Sequence, residues 1–85
     1  MTFMLKLEPK AEKQLNKIPS PYKERITIVL ASIAVNPWAG KKLKGEYAGS
    51  YSVRVWPYRV IYKIYKDILF ILVIKIKHRG QGAYK

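Results

Sequence analysis

Eighty-five residues, 49% hydrophobic and 26% charged, describe one small globular domain spanning residues 1–85 rather than a disordered chain. The absence of cysteine excludes disulfides and thiolate metal sites, so a packed core must hold the fold together. Seventeen Lys and Arg against five Asp and Glu give a net charge of +12, the electrostatic signature of a polyanionic partner.

The charge is unevenly placed. Residues 1–40 hold six basic and three acidic side chains, whereas residues 41–85 hold eleven and two, a net +9 in the second half. Nucleic acid is the first candidate partner. An acidic protein or an anionic membrane surface is the alternative, but no basic amphipathic helix supports the membrane. Met1 to Leu7 is short and interrupted by Lys6, unlike a signal peptide. The apolar run Ile68 to Ile74 is too short to span a bilayer, so a cytoplasmic protein is expected.

Along the chain, Phe3, Leu5 and Leu7 alternate with Met4 and Lys6, the period of a half-buried strand. Pro9 suits the first turn of a helix in which Ala11, Leu15 and Ile18 form one apolar stripe. Pro19 ends that helix, and Ser20-Pro21 predicts the N-terminus of a second. Tyr22, Ile26, Val29 and Ile33 keep helical spacing until Asn36-Pro37 stops it. A glycine-containing connector follows, with the basic run Lys41-Lys42-Leu43-Lys44. Tyr51, Val53 and Val55 then alternate with Ser52, Arg54 and Trp56, residues 59–65 are rich in β-branched and aromatic side chains, and Ile68 to Ile76 predicts a central strand. The expected fold is α+β, in the order β-α-α-β-β-β, with both helices on one face of an antiparallel sheet.

If Val53 and Val55 face the core, Arg54 faces away, and a two- or four-residue hairpin loop puts Arg59 on the same side. The arginines are directly opposite if Trp56-Pro57 is the loop and diagonal if Pro57-Tyr58 is. Proline's preference for the first central turn position favours the second arrangement. Facing like charges cost a few tenths to about 1 kcal/mol, which a sheet tolerates more readily if an anion sits between them. Arginine grips phosphate bidentately. The plain alternative is two solvated surface arginines. Lys41, Lys42, Lys44, Lys75, Lys77 and His78 are further candidates for contact with RNA, although a lysine run in a loop and a frayed strand end would look the same. His78 has no spaced partner, so no metal site is expected. The five carboxylates are scattered, which disfavours a two-metal nuclease. Cleavage would then need a substrate carrying its own nucleophile, as RNA does in its 2′-hydroxyl.

With these features in order, the chain resembles the RelE branch of the RelE/ParE toxin superfamily. The resemblance rests on the β-α-α-β-β-β order, Lys42-Leu43-Lys44-Gly45, the stretch from Tyr51 to Tyr62 that holds Arg54 and Arg59, and the closing His78-Arg79 with Tyr84 after it. It implies a ribosome-dependent, metal-free mRNA endoribonuclease with no cofactor, whose partners are the ribosome, mRNA and a neutralising antitoxin. By position, Arg54, Arg59, Arg79 and Tyr84 match the family's catalytic residues, and His78 is the alternative base to Tyr84. Ser52 stands where well-known members carry a second basic residue. A ParE-like inhibitor of DNA gyrase and a non-catalytic RNA-binding protein are the competing readings.

Overall fold

The structure, a computed structural model, describes residues 2–80, so Tyr84 lies outside the described residues. Strand β1 (Met4–Leu7) leads into helices α1 (Pro9–Asn16) and α2 (Tyr22–Val35). A two-residue strand β2 (Lys41–Lys42) precedes β3 (Tyr51–Val55), β4 (Tyr58–Tyr65) and β5 (Phe70–His78). The expected β-α-α-β-β-β order is present, with β2 added inside the connector. No helix among the described residues is long and apolar enough to cross a membrane.

The helices form for local reasons. Pro9 opens α1 behind an extended Glu8, where its missing N–H costs nothing. Ala11 and Ile18 are buried, as the stripe predicts. Helix α2 begins at Tyr22, later than Ser20-Pro21 suggests, because Ser20 does not cap the backbone. Its hydroxyl donates instead to Glu24 Oε2 at 2.8 Å, and this bond holds the Glu24 carboxyl below its ordinary pKa. Ile26, Leu30 and Ile33 turn inward along α2, leaving Ile28 and Val35 exposed.

The five strands run in the order β1-β5-β4-β3-β2. The sheet is antiparallel, as expected, except at its edge, where β1 pairs parallel with β5, from Met4↔Phe70 to Leu7↔Val73. The helical crossover allows this: two hairpin reversals after it return β5 in the direction of β1. Strand β5 is internal, flanked by β1 and β4, as its apolar run requires. Both helices pack on one face against Val55, Val60, Tyr62, Ile71, Val73 and Ile76.

Strand β5 contains a β-bulge. Tyr62 pairs with Val73 while its neighbour Ile61 pairs with Lys75, so Ile74 is an extra residue. Before the bulge Ile71 and Val73 face the helices; after it Ile76 does, and Lys75 and Lys77 face away. Gln14 of α1 serves this irregular stretch, accepting the Ile76 N–H at Oε1 across 2.9 Å.

Tyr62 anchors the connector. Its ring is fully buried beside Tyr51, and its hydroxyl donates to the Pro37 carbonyl at 2.7 Å. The chain passes so closely that a side chain at Gly40 would meet the Tyr62 phenol and the Ser52 carbonyl oxygen.

Two stability measurements test these contacts. Gln14→Met keeps the length but orphans the Ile76 N–H, and should lower the unfolding free energy in urea by about 1–3 kcal/mol, with Gln14→Glu retaining most of it. Burial raises the Tyr62 pKa above its ordinary 10.0, with the nearby Tyr51 adding to the shift and the Gly40 backbone opposing it. The unfolded phenol therefore ionises first: this contribution is complete below pH 10 and is lost as pH rises toward the folded value. Tyr62→Phe should cost about 1–2 kcal/mol at neutral pH through the unpaired Pro37 carbonyl, and should flatten the loss of stability above pH 10.

Candidate nucleic-acid interface

The face turned away from the helices carries five of the sequence-predicted cations in two rows. The β3–β4 hairpin has Trp56-Pro57 as its loop, with Pro57 in the second central position behind a cis peptide bond. Arg54 and Arg59 are therefore directly opposite, not diagonal. Core pairing dictates this register: Val53↔Val60, Tyr51↔Tyr62 and Val55↔Tyr58 are matched on the buried side.

Arg59 also pairs with Lys77 of β5, making a row of three cations across three strands, Arg54–Arg59–Lys77. The adjoining row runs Lys41–Ser52–Ile61–Lys75. No acidic residue stands in either row. A cleft of about 290 Å³ opens here, lined by Lys41, Leu43, Ser52, Arg54 and Arg59. Arg54 and Arg59 are exposed, whereas Lys75 and Lys77 are half-buried. Arg59 has ladders on both sides and is the most firmly placed of the cations.

The face is not bare. The connector folds back over it, and Tyr47 reaches β5: its hydroxyl accepts from Lys75 Nζ at 3.4 Å, and Lys77 Nζ lies 5.5 Å from its ring centroid. Ile61 and Ser52 are buried although they point away from the helices. Sequence reasoning missed Tyr47, since nothing in a glycine-bounded loop reports a contact with a strand nearly thirty positions later.

The remaining candidates divide by face. Arg79 closes onto the hairpin: its backbone N–H donates to the Pro57 carbonyl at 2.8 Å, and its guanidinium lies 4.6 Å from the Trp56 ring centroid. His78 lies opposite Tyr58 on the helix side of the sheet, ring against ring at 5.1 Å, and its Nδ1 accepts the Gly80 N–H. Lys42 lies opposite Tyr51, also out of the Arg59 rows. Lys44 follows β2, outside either row. Among the described residues no three His, Asp or Glu side chains come together as a metal site.

Such a surface, a cationic cleft with aromatic rings at its margins, is chemically suited to hold a phosphodiester backbone. The comparisons with known proteins agree in fold and family. A family model described as the ParE toxin of the type II toxin–antitoxin system parDE matches residues 5–82. Toxin RelG of Mycobacterium tuberculosis is 26% identical over 86 residues, an alignment covering 94% of each chain. The RelE–RelB complex from Pyrococcus horikoshii superposes with a TM-score of 0.81 at 27% identity, over 96% of this chain and 100% of that one. The RelBE2 toxin–antitoxin complex of M. tuberculosis gives 0.82 at 24% identity, over 93% and 100%, a likeness of fold. The chain belongs to the ParE toxin family, and is a toxin of the type II toxin–antitoxin class within the RelE/ParE superfamily.

Proposed function

We propose that this toxin is a ribosome-dependent mRNA endoribonuclease that arrests translation without a metal ion. The observation that carries the reading is the direct Arg54–Arg59 pair, extended by Lys77. Facing like charges are unfavourable in an empty sheet and become favourable around a phosphate. Scattered carboxylates leave charge and positioning as the main catalytic means, so the nucleophile comes from the substrate.

In this reaction the RNA 2′-oxygen attacks the adjacent phosphorus, the bond to the 5′-oxygen breaks, and a 2′,3′-cyclic phosphate remains. Arg59 stabilises charge on the phosphoryl oxygens as it develops, and Arg54 assists from the facing strand. Arg79, at the hairpin end, stabilises the departing 5′-oxygen. Tyr84 is the proton acceptor that the family resemblance supplies. Lys41, Lys75 and Lys77 hold flanking phosphates, while Lys42 and Lys44 add to the general field. The ribosome fixes the codon so that the 2′-oxygen is in line with the leaving group, and such orientation supplies roughly 7–11 kcal/mol in favourable cases.

The cytoplasm, where translating ribosomes are found, is the site of action in this reading. A cognate antitoxin that is acidic at its contacts would offset the +12 charge and keep the face off RNA until released.

Arg59→Ala should lower cleavage of ribosome-bound mRNA by about 10²–10³-fold while leaving stability within about 0.5 kcal/mol, since the side chain is solvated. Unaltered cleavage by that variant would remove Arg59 from the mechanism. Expression should halt amino-acid incorporation before DNA synthesis; the reverse order would favour gyrase inhibition. Purified protein should cut mRNA rapidly only on ribosomes. Its own chemistry should survive EDTA when a pre-bound codon is presented on ribosomes that remain assembled.

A further inference from the structure

Trp56 is 59% exposed at the tip of the β3–β4 hairpin, and the reaction above does not use it. Three of the exposed apolar residues, Tyr65, Ile68 and Leu69, lie at the far end of β4, roughly eight residues or about 26 Å away along the strand, and exposed Met4 pairs with Phe70 at that same end. Against the Trp56 ring itself lies a positive charge, the Arg79 guanidinium.

The sheet geometry explains its setting. Ser52, Arg54 and Trp56 alternate with the inward Val53 and Val55, so the indole continues the outward side of β3. Lys75, Lys77 and Arg79 likewise continue the outward side of β5, and the Arg79 N–H to Pro57 carbonyl bond extends the β4–β5 ladder by one step. Trp56 and Arg79 thus form a third row beside Arg54–Arg59–Lys77. Within it the guanidinium lies 4.6 Å from the indole centroid, supporting one side of the ring while much of the remainder faces solvent.

We infer that Trp56, backed by Arg79, is a stacking platform for one nucleobase of a single strand whose phosphate lies between Arg54 and Arg59. This rests on the RNA-binding reading of that face. Trp56 lies two residue steps beyond Arg54, about 7 Å along an extended chain. That is the reach from a backbone phosphate to a neighbouring base. A cation behind the ring and a base in front make a continuous stack, and an aromatic face accepts any base without hydrogen-bond readout. A purine covers more of the indole than a pyrimidine, so adenine and guanine are preferred. A protein ligand would instead call for apolar neighbours around the indole, and Tyr65, Ile68 and Leu69 lie a strand's length away from it.

The test uses the full chain carrying Trp38→Phe, which leaves Trp56 as the one tryptophan. Trp38 meets Phe3 edge-on at 5.4 Å, a contact phenylalanine can preserve. The probes are a short 2′-O-methyl oligoadenylate, which resists cleavage, and an abasic strand of equal phosphate count. Oligoadenylate should quench Trp56 emission on binding; the abasic strand should bind without quenching and about tenfold more weakly. By anisotropy of labelled strands, Trp56→Ala should weaken oligoadenylate binding about tenfold and leave abasic binding unchanged, and Trp56→Phe should recover most of the loss. Equal affinity of the two strands for the starting protein would overturn the platform, as would an equal loss for both in Trp56→Ala, which marks a role through Arg79 alone. Absence of quenching together with Trp56→Ala weakening capture of the antitoxin would make Trp56 a protein contact and also overturn it. Cleavage is read separately: quenching without cleavage would retain the platform and reject the nuclease, whereas no quenching in the starting protein, together with undiminished cleavage by Trp56→Ala, would do the reverse.

Discussion

The single extra residue at Ile74 decides which side of the sheet carries charge. Strand β5 enters with Ile71 and Val73 on the helix side, and unbroken alternation would have turned Lys75, Lys77 and Arg79 there as well. Burying unpaired cations against Ala11, Leu15 and Ile18 would cost several kcal/mol each. The bulge reverses the phase instead, bringing Ile76 to the core and the cations to the side of Arg59. Gln14 supplies the acceptor for Ile76, so a helix on one face of the sheet supports the irregular strand that builds the other.

The legible and illegible parts of the chain differ in how much phase information they carry. Tyr51 to Val55 alternates cleanly, so the outward direction of Arg54 could be read directly, and the Arg54–Arg59 pairing followed once the loop was known. Proline's turn preference points to the other loop because it is blind to the inward pairs Val53↔Val60 and Tyr51↔Tyr62, which are tertiary facts. From Ile68 to Ile74 every residue is apolar, and a strand apolar at each position has no phase to read. The bulge was therefore invisible, although cations at 75 and 77 after inward residues at 71 and 73 are its trace. The connector has the sequence of a loop because a two-residue strand has no period, and because Tyr47 is placed by Lys75 and Lys77 rather than by its neighbours.

Rigidity falls off across the cationic face in a definite order. Arg59 sits on β4 with hydrogen-bonded neighbours on both sides; Arg54 sits on β3, whose outer neighbour is only the two residues of β2. Arg79 lies past the end of β5, tied by one backbone bond and one ring contact. A group that stabilises developing charge works best when it need not reorganise, and the middle of a sheet is the place for it. A group that follows a departing atom benefits from slack. The proposed roles of Arg59 and Arg79 match that gradient, and Arg54 falls between them.

The fold alone cannot choose among the activities of this superfamily, because two helices over a five-stranded sheet say nothing about what the opposite face binds. The family model carries the ParE description while the solved complex from Pyrococcus horikoshii carries the RelE name, and both agree with the same backbone. The distinction has to lie in side chains on the open face. Ser52, small and buried, stands in the row between Lys41 and Ile61. A basic residue there would project from the floor of the cleft; serine leaves the floor neutral and concentrates charge in the row of Arg54, Arg59 and Lys77. The negative charge of a phosphodiester is shared by its two non-bridging oxygens, a compact target for one such row. In the proposed site Ser52 leaves the row beside Arg54 and Arg59 neutral at its middle, and the proposed chemistry falls to the three aligned cations.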